Sequence, residues 1–161
     1  PAAAPPAAAP AAAAPKAAPV AENETDLATL NKITITDATG RSQSLYVGAQ
    51  GQFRNTLDFY ELPPVPPAGS FDVRFTSQRM AEGSSEAEKA SSEFPIAISG
   101  AVCPVRISWE INAPVQGSRK MVLTDLVDGK TLQAVMEGIG TATVPVTPQG
   151  LACPNLPPGT I

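Results

Sequence analysis

Residues 105–111, with the sequence VRISWEI, decide the fold. Apolar and polar side chains alternate along this stretch, with apolar residues at Val105, Ile107, Trp109 and Ile111 and polar residues at Arg106, Ser108 and Glu110. A period of two residues is typical of a β-strand that buries one face and exposes the other. We therefore predict a half-buried strand, with Trp109 as an aromatic anchor of the core.

The strand pattern recurs on both sides of this stretch. Further candidate strands lie at residues 33–36, 45–47, 71–75, 94–98, 121–126, 131–136 and 139–146. In residues 71–75 the apolar side chains alternate with Asp72 and Arg74, so we predict a half-buried strand with these two charges facing water. Asp128-Gly129 separates two of them and is the strongest short signal for a hairpin. About eight short strands without a sustained helical period predict an all-β antiparallel sandwich, with Phe71 and Phe75 in the core beside Trp109. Residues 80–93 are polar, and we predict that they form an exposed loop between strands.

The composition excludes several classes of function. The chain has 161 residues, 18 Pro, 12 Gly, no His and a formal net charge of -4. Nucleic acid is not the expected partner, because neutralising phosphates requires clustered Lys and Arg. No apolar run approaches the roughly 20 residues that span a bilayer, so we expect no membrane span. The absence of His removes the commonest general base and metal ligand.

The first 20 residues, PAAAPPAAAPAAAAPKAAPV, are a low-complexity segment with 12 Ala and 6 Pro. Its Ala runs are too short to nucleate a helix, because they are interrupted by Pro5, Pro6, Pro10, Pro15 and Pro19. Each Pro also favours extended backbone in the residue before it. We predict a polyproline II segment reaching roughly 60 Å, either a linker or a segment held by a partner. Residues 1–30 are accordingly interpreted as a tail and residues 31–161 as the sandwich domain.

The two cysteines, Cys103 and Cys153, are too far apart for a redox or zinc CxxC element. They form either one disulfide or two small buried apolar side chains, and we predict the disulfide. Its loop of 50 residues would stabilise the fold by about 4 kcal/mol on the chain-entropy model. Such a bond would place the protein in an oxidising, exported environment.

Three groups of polar residues carry catalytic or metal-binding potential, and each has a simpler structural interpretation. The serines have neither a GxSxG motif nor a His to activate them; they are Ser84, Ser85, Ser91 and Ser92. The acidic group lies in a Ser-rich stretch without an aromatic platform for sugars; it comprises Glu82, Glu86, Glu88 and Glu93. Asp125 and Asp128 lack the dense alternation of a calcium loop and fit turn chemistry. We predict no catalytic residue, no metal, no cofactor and no enzymatic activity.

The middle of the chain resembles a known family of secreted proteins. Residues 60–67 are YELPPVPP, residues 71–75 are FDVRF, residues 94–98 are FPIAI and residues 104–109 are PVRISW. These segments are similar to the ELPPxPPxGxFDxRF signature, and to the strands that follow it, in secreted bacterial proteins associated with type IX secretion. The resemblance runs from about Ile33 to Val146. It implies an immunoglobulin-like extracellular β-domain, exported to the cell surface or released.

The proline-rich loop within this signature has two interpretations. Its prolines stiffen the connection and remove donors for strand pairing; they are Pro63, Pro64, Pro66 and Pro67. The loop is either a rigid crossover between the sheets or an exposed polyproline II ridge that a neighbour's aromatic side chains grip.

We predict a non-enzymatic extracellular structural protein, a subunit or decoration of a cell-surface filament, with copies of itself as the partner. Residues 1–37 combine the Ala/Pro spacer with a β-prone segment containing Ile33 and Ile35, which would add to a neighbour's open sheet edge and build a filament head to tail. Alternatively, the Ile33 strand pairs within its own domain and the spacer rests on a neighbour. The alternative function is an accessory carbohydrate- or protein-binding module of a larger secreted protein, with a surface glycan as its ligand.

Overall fold

The computed structural model describes residues 27–84, 91–112, 120–125, 132–144 and 159–160. Within these ranges the chain forms ten strands: β1 Asn31–Thr36, β2 Ser42–Ala49, β3 Asp72–Phe75, β4 Ala81–Ser84, β5 Pro95–Ser99, β6 Val105–Glu110, β7 Met121–Thr124, β8 Gln133–Met136, β9 Ile139–Val144 and β10 Gly159–Thr160. Two short 3-10 helices, Gln50–Gln52 and Leu57–Tyr60, lie between β2 and β3. None of the described helices is long and apolar enough to cross a bilayer.

The strands form two five-stranded sheets that enclose one main core. The first sheet has the order β4-β2-β1-β6-β9 and the second has the order β3-β5-β10-β7-β8. Neighbouring strands are antiparallel except for β2 and β4, which are parallel. The all-β antiparallel sandwich predicted from the sequence is confirmed. Two of the strands, β4 and β10, were not predicted, and β4 shows that the start of the 80–93 segment is a strand rather than an exposed loop.

The β1 strand lies at the centre of the first sheet. It pairs with β2 on one side and with β6 on the other, so that Ile33 faces Leu45 in β2 and Trp109 in β6. Ile33 and Ile35 are fully buried. The sequence-based assignment of these two residues to a contact between copies is therefore corrected, because both edges of their strand and both side chains are used inside the domain.

The main core lies between the sheets and contains the predicted anchors. Trp109 is buried in β6 and Phe75 is buried in β3, whereas Phe71 is half-buried and packs on the edge of the cluster. Trp109 pairs in register with Gly140 of β9. A Cβ atom added to Gly140 would lie 2.4 Å from Trp109 Cζ2, so the absence of a side chain there makes room for the indole.

A second, smaller cluster lies where the chain enters the first sheet. It contains Leu27, Leu30, Tyr60 and Ala81, all buried. Leu27 and Leu30 belong to the segment interpreted as tail from the sequence, so the packed part of the chain begins at least as early as Leu27.

The outer strands of the two sheets differ between the two sides of the sandwich. At β3 the edge groups are occupied, because the Val73 N–H donates to Gln43 Oε1 at 3.1 Å and the Phe75 N–H donates to the Arg79 carbonyl at 3.0 Å. At the other side the outer strands β8 and β9 are joined by the short corner at residues 137–138. An edge whose N–H groups are already hydrogen-bonded, as at β3, discourages pairing with other chains.

Candidate functional site

The most distinctive surface of the described chain is an apolar ridge at residues 59–67, which we call the proline ridge. Phe59 is 51% exposed and Val65 is 58% exposed. Four prolines complete the ridge, with Pro66 half-buried and the other three exposed: Pro63, Pro64 and Pro67. The loop joins elements of the first sheet to β3 of the second and also presents apolar side chains to solvent.

A buried ion pair lies at the base of the proline ridge. Arg74 is 4% exposed, and its Nε and Nη2 donate to the two carboxylate oxygens of Asp72 at 2.6 and 2.7 Å. Its Nη1 donates to the Pro63 carbonyl at 2.8 Å and to Gln78 Oε1 at 3.1 Å. One guanidinium therefore ties the backbone of the ridge to β3.

This arrangement corrects the predicted half-buried strand at residues 71–75. All four residues of β3 are buried, including Asp72 and Arg74, which the alternating pattern placed in water. The physical reason is that the Pro63 carbonyl and the Gln78 side chain contact Arg74 on the outer face of β3, where Arg74 and Asp72 also satisfy each other's charges. The hydrogen bonds to Asp72 raise the pKa of Arg74 against the opposing effect of burial, so the guanidinium stays charged.

Backbone hydrogen bonds also hold the ridge, to the segment between β3 and β4. The Leu62 N–H donates to the Gln78 carbonyl at 2.8 Å, and the Met80 N–H donates to the Tyr60 carbonyl at 2.9 Å. These bonds flank an antiparallel bridge between Glu61 and Arg79. The ridge is thus held at both sheets, by the guanidinium from β3 and by the segment that leads into β4.

Aromatic side chains support the ridge from within. Tyr60 is 2% exposed and makes edge-to-face contacts with Phe53, at 5.6 Å between ring centroids, and with Phe59, at 5.9 Å. Tyr60 also belongs to the small cluster that contains Leu27. The exposed ring of Phe59 is therefore part of a packed aromatic group. Through Tyr60, that group adjoins Leu27, the first residue that the structure describes.

Charged groups surround the ridge. Asp58 is largely exposed and forms an ion pair with Arg79 at 2.6 Å. Glu61, within the ridge itself, is exposed. Glu61 is therefore an exposed carboxylate of the ridge, whereas the neighbouring carboxylate of Asp58 is paired with a cation.

A second exposed apolar surface lies at the corner between β8 and β9. Val135 is 50% exposed and Ile139 is 88% exposed. The corner is held by the Ile111 N–H, which donates to the Gly138 carbonyl at 2.7 Å. The sequence placed both residues in strands but carried no signal for which face each would occupy.

The acidic residues singled out in the sequence do not converge on a catalytic arrangement within the described ranges. Glu82 and Glu93 line a cavity of about 370 Å³ with Ser77, but Glu82 is buried and accepts a hydrogen bond from the Ser77 hydroxyl. No group of three or more metal-ligating side chains is found among the described residues. The remaining candidates Ser85, Glu86, Glu88 and Asp128 lie outside those ranges.

The other predicted site residues divide between turn chemistry and parts of the chain that the structure does not describe. Asp125 accepts a hydrogen bond from the Leu132 N–H at 2.9 Å, as expected for a residue that closes a turn. Cys103 is half-buried just before β6, and Cys153 lies outside the described residues, so their pairing stays a prediction. The tail prolines also lie outside them: Pro5, Pro6, Pro10, Pro15 and Pro19.

No family model, no curated protein and no solved structure matches the chain. The resemblance to secreted proteins of type IX secretion therefore rests on the quoted segments. The structure adds that two of these segments, residues 60–67 and 71–75, form one unit through the contact between Arg74 and Pro63.

Proposed function

We propose that the protein is an extracellular structural protein, a subunit or decoration of a cell-surface filament assembled through non-covalent contacts. The observation that carries the proposal is the proline ridge, an exposed apolar surface held rigidly by buried polar contacts. Exposed apolar side chains are ordinary when they occur singly. Here two of them lie six residues apart in one loop, with Phe59 in the 3-10 helix Leu57–Tyr60 and Val65 among the prolines that follow.

Rigidity favours a role in contact with another molecule. A surface that is already ordered loses little conformational freedom when a partner binds, so more of the apolar burial appears as affinity. The prolines restrict the backbone of the ridge, and Arg74 anchors it through the Pro63 carbonyl. These features suit a surface that is used repeatedly in the same geometry, as in a polymer.

The extracellular location and export by type IX secretion belong to the same proposal. They are supported by the signature segments of the sequence and by the predicted bond between Cys103 and Cys153. A disulfide would persist in an exported protein.

Self-association of the intact chain tests this function. Sedimentation velocity over a range of concentrations, together with electron microscopy, should show oligomers or filaments that grow with concentration. A chain that stays monomeric at the highest concentration and binds glycans or another protein would overturn the proposal in favour of the accessory module.

A further inference from the structure

We propose that the proline ridge of one copy is the docking surface for the Ala/Pro tail, residues 1–20, of a second copy. This inference rests on the proposed structural function and names the two surfaces that meet.

The tail joins the body beside the ridge. Leu27 packs in the cluster with Tyr60, and the Tyr60 ring contacts Phe59 of the ridge. Twenty-six residues precede Leu27. In polyproline II geometry they would extend about 80 Å, at roughly 3.1 Å per residue, which exceeds the dimensions of a small domain. The tail is therefore long enough to reach the corresponding position on a neighbouring copy.

The chemistry of the tail matches that of the ridge. Proline-rich segments in polyproline II geometry dock on surfaces that expose aromatic rings, since the preformed helix loses little entropy on binding. The ridge offers the half-exposed Phe59 ring, backed by Tyr60, together with Val65. Lys16 is the one charged residue in residues 1–20, and the ridge carries the exposed carboxylate of Glu61.

The segment between the tail and the body favours docking on a second copy. Residues 21–26 are AENETD and carry three carboxylates, which the exposed Glu61 carboxylate of the ridge repels. The first glycine of the chain is Gly40, so residues 1–26 lack the residue type that most readily reverses an extended chain. The like charges and the absence of glycine both favour docking on the ridge of the next copy over docking on the ridge of the same chain. Such a head-to-tail contact does not close on itself and produces a linear polymer.

Photo-crosslinking in the full-length chain tests this docking. Phe59 is replaced by p-benzoylphenylalanine, and equal amounts of ¹⁴N- and ¹⁵N-labelled protein are mixed, irradiated and analysed by mass spectrometry. The proposal predicts crosslinks from position 59 to residues 1–20, about half of them between chains of different isotope. The same group in place of Val135, whose exposure of 50% matches the 51% of Phe59, should give no tail crosslinks.

The possible results distinguish a failure of the proposed docking from a failure of the proposed structural function. Crosslinks to the tail solely within one isotope would show that the tail folds back on its own ridge and would overturn docking on a second copy. Oligomers that form without tail crosslinks at position 59 would overturn the docking and leave the structural function standing. A chain that remains monomeric under all conditions would overturn both.

A pair of matched valines provides a second measurement. Val65→Ser removes apolar surface from the ridge, and Val135→Ser removes the same group from the corner between β8 and β9, where exposure is similar. The docking predicts that Val65→Ser weakens self-association about tenfold while Val135→Ser leaves it unchanged. The reverse pattern would assign the contact to the corner and overturn the proposal.

Discussion

Arg74 and Asp72, two residues apart on one strand, form a doubly hydrogen-bonded ion pair beneath the proline ridge, with Nε–Oδ2 and Nη2–Oδ1 distances of 2.6 and 2.7 Å. Residues at this spacing share one face of a strand. That face would be solvated if the ridge did not cover it. The ion pair is therefore buried on this face of β3, and Arg74 of the pair donates a hydrogen bond to the Pro63 carbonyl.

Removal of one partner of this pair should destabilise the fold strongly. Arg74→Met leaves the Asp72 carboxylate without its main hydrogen-bond donor under the ridge, and breaking a buried pair in this way typically costs about 3–5 kcal/mol. Urea unfolding followed by Trp109 fluorescence measures the free energy. The control Asp58→Asn breaks the pair with Arg79, in which Asp58 is largely exposed, and should cost less than about 1 kcal/mol. Equal losses in the two variants would show that the buried pair does not anchor the ridge.

A methyl group at Gly140 should collide with the core anchor. The added Cβ would lie 2.4 Å from Trp109 Cζ2 and 2.6 Å from its Nε1, and overpacking of this kind costs about 1–3 kcal/mol. Gly140→Ala should lower the unfolding free energy and shift the Trp109 emission spectrum. Gly51→Ala, where the added atom meets nothing within 4 Å, is the matched control. An unchanged stability and spectrum in Gly140→Ala would contradict the observed packing of β6 against β9.

Stability in acid should depend on Asp37, which closes the turn between β1 and β2. Burial favours the protonated form of Asp37, but hydrogen bonds from Thr39, Arg41 and the Val102 N–H outweigh burial and hold the pKa of this carboxyl well below its usual range. A carboxyl with a lowered pKa stabilises the fold above its unfolded pKa of about 4, and this contribution is lost as the pH falls toward the folded value.

Asp37→Asn removes that contribution. The variant should be less stable than the native chain at pH 7, and the difference should shrink as the pH is lowered below about 4. Unfolding free energies between pH 7 and pH 2 provide the measurement. A difference that is constant over this range would mean that the Asp37 charge does not stabilise the turn.

The sequence predicted those parts of the fold in which alternation and burial coincide. The Val105–Glu110 strand and the Trp109 anchor follow directly from the two-residue period, because one face of β6 is buried and the other is exposed. The same reasoning failed for β3, where the preceding loop contacts Arg74 through the Pro63 carbonyl and the second face is buried as well. Ala81–Ser84 was missed as a strand because its small and polar residues carry no period, and it forms through parallel pairing with β2.

The residue types of the candidate site could be predicted from the sequence, but the exposure and contacts of these residues could not. The prolines of the ridge mark a stiff segment in the sequence, yet the exposure of Phe59 and Val65 depends on the fastening of residues 60–62 to residues 78–80. A signal for the buried pair was available, since Asp72 and Arg74 carry opposite charges at a spacing of two residues directly after the proline segment.

The predicted disulfide can be examined by mass spectrometry of native, unreduced protein. A bond between Cys103 and Cys153 should give a mass two hydrogen atoms below that of the reduced chain and a linked peptide after proteolysis. Reduction should lower the unfolding free energy by about 4 kcal/mol, the entropic contribution of a loop of this length. Recovery of two alkylatable thiols in unreduced protein would contradict the bond and weaken the case for an exported protein.

The central claim, that the tail assembles copies of this sandwich, is tested most directly by sedimentation velocity of the intact chain and of a chain lacking residues 1–20. Truncation at residue 20 leaves every residue of both described core clusters in place, so we expect the truncated chain to fold. We expect concentration-dependent oligomers for the intact chain and a folded monomer after truncation. Oligomers of unchanged size after truncation, or an intact chain that sediments as a monomer at high concentration, would contradict it.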